Sequence, residues 1–231
     1  MNIQVDFKFS KIKQAFISLK NSFVYFMSNF ATTAFTLLNT LIIGIILTKA
    51  DVAYWNVTMQ LVTAVQAMYA PIINSVFPTM LKEKNLKIIH KIMLIYMPLI
   101  FAGCGIILVL GDWAVNLVFG SDYLMSSTLL KWLIPTLIFA FPGMLYGWPC
   151  LTAINKPKIA TYTTIVSAVV QVLGLLLLSL ISQFNLIGIC IIRNITEICL
   201  CIPRVIIIYK NKSKFDNSPA TTDYTNPVIE A

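Results

Sequence analysis

Apolar residues in this chain do not alternate with polar ones. They run on for the width of a bilayer, stop at a short polar turn, and run on again. The clearest unit extends from Ala50 to Lys91. Its uncharged, helix-long stretch from Val52 to Leu81 follows the small turn Lys49-Ala50-Asp51 and meets Lys82, Lys84, Lys87 and Lys91, with only Glu83 against them. About 20 apolar residues cross the hydrocarbon core as a helix. Counting such runs predicts six spans, at about 21–48, 52–81, 92–110, 132–155, 159–182 and 186–209. Helix is the required geometry, because an isolated strand would leave backbone N–H and C=O groups unpaired in lipid. A membrane barrel would need short segments alternating with period two, and these runs are continuously apolar. The predicted fold is an all-α integral membrane protein.

The flanks read differently. Residues 1–20 are too polar for a span, and Phe7, Phe9, Ile12, Ala15, Phe16 and Leu19 recur at helical spacing opposite Lys8, Lys11 and Lys13. That pattern predicts an amphipathic helix at the membrane interface. No cleavage site follows it, so it is not expected to be a removable targeting peptide. The segment 210–231 reads as a polar, disordered cytoplasmic tail. If both ends are cytoplasmic, the inside segments hold thirteen lysines (Lys8, Lys11, Lys13, Lys20, Lys82, Lys84, Lys87, Lys91, Lys156, Lys158, Lys210, Lys212 and Lys214) against only Lys49 and Lys131 outside. Positive charge stays on the cytoplasmic side of short loops. The alternation therefore predicts an even number of crossings.

Composition sharpens this picture. Of 231 residues 58% are hydrophobic and only 11% charged, with a mean hydropathy of +0.82. Soluble domains carry roughly twice that charged fraction. The net charge of +8 would suit nucleic acid, but the basic residues lie in the turns between spans, where they set topology and meet anionic headgroups. No nucleic-acid partner is expected. Cys104, Cys150, Cys190, Cys199 and Cys201 fall in or beside apolar runs without metal-ligand or disulfide spacing, so they read as small packing residues and no metal or cofactor is expected.

Few groups inside the spans can carry chemistry. Arg193 and Glu197 stand at i and i+4 in the last span, roughly 10 and 17 Å below its outer end at about 1.5 Å per residue. Charge at that depth faces a bundle interior or a wet cavity. Two readings stay open: a site where Arg193 attracts a polar or anionic substrate and Glu197 orients it, or a clamp to another helix. Arg204 lies close enough to the cytoplasmic end to snorkel there. Gln60, Asn74 and Asn39, with Asn29, Gln66 and Gln171, are uncharged polar groups that either join helices or line a path. Pro71, Pro78, Pro98, Pro135, Pro142 and Pro149 remove helical hydrogen bonds and bend helices. His90 has no partner in the sequence that would make it catalytic. The sequons at Asn56, Asn194 and Asn211 sit at the membrane boundary, in the membrane and in the cytoplasmic tail, so glycosylation is discounted. No phosphate loop, nucleophile elbow or HExxH occurs.

Several stretches together resemble the bacterial polysaccharide repeat-unit flippases, the O-antigen transporters of the multidrug/oligosaccharidyl-lipid/polysaccharide exporter superfamily. They are Lys49-Ala50-Asp51-Val52-Ala53-Tyr54-Trp55, Gln66-Ala67-Met68-Tyr69-Ala70-Pro71-Ile72 and Ser75-Val76-Phe77-Pro78. Val118-Phe119-Gly120-Ser121-Asp122-Tyr123, Asn155-Lys156-Pro157-Lys158, Asn185-Leu186-Ile187-Gly188 and Thr196-Glu197 continue the match in one register over about residues 15–209. The resemblance is to the C-terminal half of members with about twelve spans in two lobes around a cavity. Glu197 matches a family acidic position. At Gln60 and Thr79 this chain departs from the basic residue many members carry. The resemblance implies flipping of an undecaprenyl-pyrophosphate-linked oligosaccharide across the bacterial inner membrane, in lipopolysaccharide or other surface polysaccharide biosynthesis. It also implies a complementary six-helix lobe or a homodimer, and no covalent chemistry. The rival expectations are a non-transporting remnant, a subunit of a split flippase, and a membrane-embedded transferase, for which His90 as the one histidine argues poorly.

Overall fold

The structure, a computed structural model, describes residues 23, 40–181 and 184–216. The expected interfacial helix 1–20, residues 21–22 and 24–39 of the first span and the tail beyond residue 216 lie outside the described residues. Among the described residues the chain is helical without strands, and five segments are long and apolar enough to cross a membrane. These correspond to the second through sixth runs read from the sequence.

Two of the five spans are broken. The second is α1 (Lys49–Ala67) followed directly by α2 (Ala70–Glu83). The expected turn Lys49-Ala50-Asp51 is in fact the first turn of α1. Thr48 caps it: the Thr48 Oγ1 accepts from the Asp51 amide at 3.2 Å, and the Asp51 carboxylate accepts from the Thr48 amide at 3.0 Å. The break between α1 and α2 follows from Pro71, which has no N–H to give to Ala67. α2 stops at Lys84, which adopts a left-handed conformation at φ 46°. The next span, α3 (Leu86–Phe119), is capped by Asn85 and runs farther at both ends than the apolar stretch 92–110. A 3-10 turn (Ser121–Tyr123) leads into α4 (Leu124–Trp132). The fourth span is α5 (Ile134–Leu145) and α6 (Trp148–Ala153), and α7 (Pro157–Leu180) and α8 (Leu186–Lys210) complete the set.

The polar tail begins later than residue 210. Lys210 is the last residue of α8, and a further turn of helix, α9 (Ser213–Asp216), folds back so that Phe215 is buried in the core. One phenylalanine among lysines is enough to anchor the turn, since a large apolar side chain gains about 1.5–3 kcal/mol on burial.

The broken span α5–α6 is the most buried of the five and forms the centre of the bundle. α8 packs against α7 and α5, α1 against α4, and α2 against α6, while α3 lies outside against α4 and α5. Basic turns gather at one end. There the His90 Nδ1, at the start of α3, lies 3.0 Å from the Leu86 carbonyl, which can only accept. The His90 Nε2 therefore accepts from the Tyr209 hydroxyl of α8 at 2.9 Å. Lys156 of the α6–α7 turn donates to Asn211 at 3.1 Å. Opposite them sit Thr48, Asp51 and the Lys131–Asp112 pair at 2.7 Å. The ordering of charges along the sequence thus becomes an ordering in space.

Candidate functional site: an exposed polar strip and a buried charge seam

The five site candidates separate. Gln60 and Asn74 are exposed and share one line; Arg193 and Glu197 lie elsewhere in the interior; Asn39 falls outside the described residues.

The line containing Gln60 and Asn74 is longer than those two residues. Asn56, Gln60, Thr63, Ala67, Pro71, Asn74 and Pro78 recur every three or four positions, and every one of them is exposed. That spacing places them on one face of a helix. Met68 and Tyr69, at the break, keep right-handed angles of −68°/−19° and −79°/−28°, so the face continues from α1 into α2. Ser75 is exposed beside Asn74, with its hydroxyl returned to the Ile72 carbonyl at 2.8 Å. The strip has no charge and no large aliphatic side chain. Its span has the lowest mean hydropathy of the five. Amide and hydroxyl groups left facing hydrocarbon would each lose hydrogen bonds to water. Such a face suits a wet cavity or another polar protein surface. Thr63 and Asn56 were missed as candidates, Asn56 being weighed only as a sequon. Their spacing from Gln60 was the available signal.

The charged residues follow a different rule. Cys190, Arg193, Glu197, Cys201, Arg204 and Ile208 form the inward seam of α8. An Arg193 Nη1–H donates to the Gln171 Oε1 of α7 at 3.1 Å, and its Nη2 stands 3.6 Å from Glu197 Oε2. Of the two readings of this pair, the geometry supplies the clamp, α8 to α7, in its ground arrangement. Glu197 is 7% exposed and Gln171 2%.

Arg204 is a correction to the expected snorkelling. It is 4% exposed and turned inward, and its guanidinium joins three helices. Nε donates to the Thr163 hydroxyl at 2.9 Å, Nη1 to the Gly143 carbonyl at 2.8 Å, and Nη2 to the Ala160 carbonyl at 3.0 Å and the Thr164 hydroxyl at 2.9 Å. The reason is a gap in the central helix. Gly147 gives its N–H to Met144 rather than to Gly143, which frees the Gly143 carbonyl for the arginine. Gly147 also makes the room, since a Cβ there would stand 2.7 Å from Arg204 Nη1 and 2.9 Å from the Gly143 oxygen. A fully engaged guanidinium at this site costs less than one reaching for a distant interface.

A second gap is filled in the same way. Pro135 interrupts the ladder between α4 and α5, leaving the Trp132 carbonyl and the Thr136 N–H apart. The Asn194 amide spans them: Nδ2 donates to Trp132 at 2.8 Å, and Oδ1 accepts from the Thr136 amide at 3.0 Å and hydroxyl at 2.7 Å. Asn194 is therefore a helix splint, consistent with discounting it as a sequon.

Residues 2–84 match the family model described as "Polysaccharide biosynthesis protein". The match bears out the resemblance to the polysaccharide flippase family. The matched segment ends at the helix pair that carries the polar strip. No curated protein and no solved structure matches the chain. The chain is thus a multi-pass membrane protein whose residues 2–84 are similar to the polysaccharide-biosynthesis family.

Proposed function

We propose that this chain is one lobe of a transporter that carries a lipid-linked oligosaccharide, of the undecaprenyl-pyrophosphate class, across the bacterial cytoplasmic membrane. The strip from Asn56 to Pro78 lines the path of the sugar head. The observation that carries this reading is the exposure of an uncharged hydrogen-bonding face on the least apolar span, together with the family match over residues 2–84. Carboxamide and hydroxyl groups exchange hydrogen bonds with sugar hydroxyls at low cost and hold no one sugar tightly, which is what passage requires. The lobe supplies only half an enclosure, so a complementary lobe or second copy closes the cavity. No covalent step is involved, and no residue is assigned a catalytic role. Arg193, Glu197 and Arg204 act by holding α8 to α5 and α7.

Transport of a labelled lipid-linked repeat unit in vesicles, with any complementary lobe present, tests this. The double variant Gln60→Leu with Asn74→Leu is expected to lower the flipping rate at unchanged protein yield. An unchanged rate, or no flipping by the wild type beside a complementary lobe, overturns the proposal. In the second outcome the chain is a non-transporting remnant, and its strip is a contact surface only.

A further inference from the structure

The helix pair that carries the polar strip turns a second, unlike flank toward α3. Val65, Met68, Tyr69 and Ile72, on either side of the break, form one wall of a groove of about 470 Å³. Tyr96, Leu99, Gly103 and Ile106 of α3 supply the facing wall, and Leu137 of α5 lies at its floor. The volume is that of a ligand pocket, which commonly runs about 300–1,000 Å³. No charged residue lines it, and the Tyr69 hydroxyl is already directed to the Leu137 carbonyl at 3.3 Å. Nothing in it can hold a headgroup. Gly103 borders its open space, since a Cβ at that position would meet nothing within 4 Å. Its mouth is at Met68, 72% exposed, near the middle of the span.

We propose that this groove between α1–α2 and α3 seats the hydrocarbon tail of the lipid-linked saccharide while the sugar head lies along the polar strip on the other flank of the same broken helix. The inference rests on the reading of the strip given above. Polar and apolar halves of one amphiphile need surfaces of opposite character within reach of each other. Here they are separated by a single helix, about 10 Å across. An ordinary phospholipid keeps its headgroup at the interface and has no use for a hydrogen-bonding strip at mid-span.

The test uses the full chain in vesicles, with a diazirine on the tail of a polyprenyl-pyrophosphate saccharide and, separately, on the acyl chain of phosphatidylethanolamine. The polyprenyl probe is expected to label α3 around Leu99–Gly103. Gly103→Phe should cut that labelling at least five-fold, whereas Gly105→Phe, equally open but outside the groove, should leave it intact. The phospholipid probe should label α3 diffusely and ignore both variants. A Cβ at either glycine would meet nothing within 4 Å, and matched melting temperatures in detergent check that both variants keep the fold. Labelling that Gly103→Phe does not change, or equal labelling by both probes, overturns the proposal and makes the groove a surface filled by bulk lipid. If Gln60→Leu with Asn74→Leu blocks transport while the tail probe misses the groove, only this inference fails. If the tail is captured while those variants transport normally, the strip reading fails instead.

Discussion

Two of the five described spans are the least covered by the rest of the protein, and they could hardly be less alike. α3 has the highest mean hydropathy of the five and presents Leu94, Ile95, Leu99, Phe101, Ile106 and Val109 outward. α1–α2 has the lowest and presents amides, hydroxyls, alanine and proline; Met68 is its one exposed large hydrophobic residue. Exposure alone would have put both against lipid. Their chemistry separates them, because hydrocarbon tolerates the first surface and penalises the second. In a membrane protein the informative exposed face is the polar one.

The sharpest way to break this comparison is to place the same charge on both faces. Phe101→Arg, at mid-span on α3, is expected to cost about 2.5–3.5 kcal/mol of insertion free energy. Gln60→Arg on the strip should cost less than half as much, because a wet or protein-covered face leaves the guanidinium its hydrogen bonds. A glycosylation-based insertion assay reads both. Equal penalties would mean that the strip faces lipid and that the functional reading is wrong.

A buried charge gives the third environment. Arg204→Met removes four donated hydrogen bonds and strands the Gly143 carbonyl, so a loss of about 3 kcal/mol is expected, seen as a lower melting temperature in detergent. Gly147→Ala should reproduce roughly half of it by crowding the guanidinium. A snorkelling arginine would show neither effect. On the strip, Gln60→Leu with Asn74→Leu should slow flipping about ten-fold, or about 1.4 kcal/mol, with no change in melting temperature. Smallest of all, Asn194→Leu should destabilise by about 1 kcal/mol without a direct effect on transport, since its amide serves the Trp132–Thr136 gap alone. A transport defect larger than its stability loss would move Asn194 from the interior into the path.

Hydropathy and lysine placement determined the helical membrane fold, the positions of five described spans and the grouping of basic turns at one end. These depend on the solvent that each residue meets, which is a property of short windows of sequence. Gln60 and Asn74 were also legible, although their shared strip emerged only when the exposed positions were seen together. What the tertiary structure alone decided was where the charges go. Arg204 lies near a helix end, where sequence sends it to the interface; a carbonyl freed by Gly147 on another helix sends it inward instead. The same holds for Asn194 and the gap at Pro135. A gap and the side chain that fills it lie about 60 residues apart, at separations of 58 and 61, and no local window of sequence contains both.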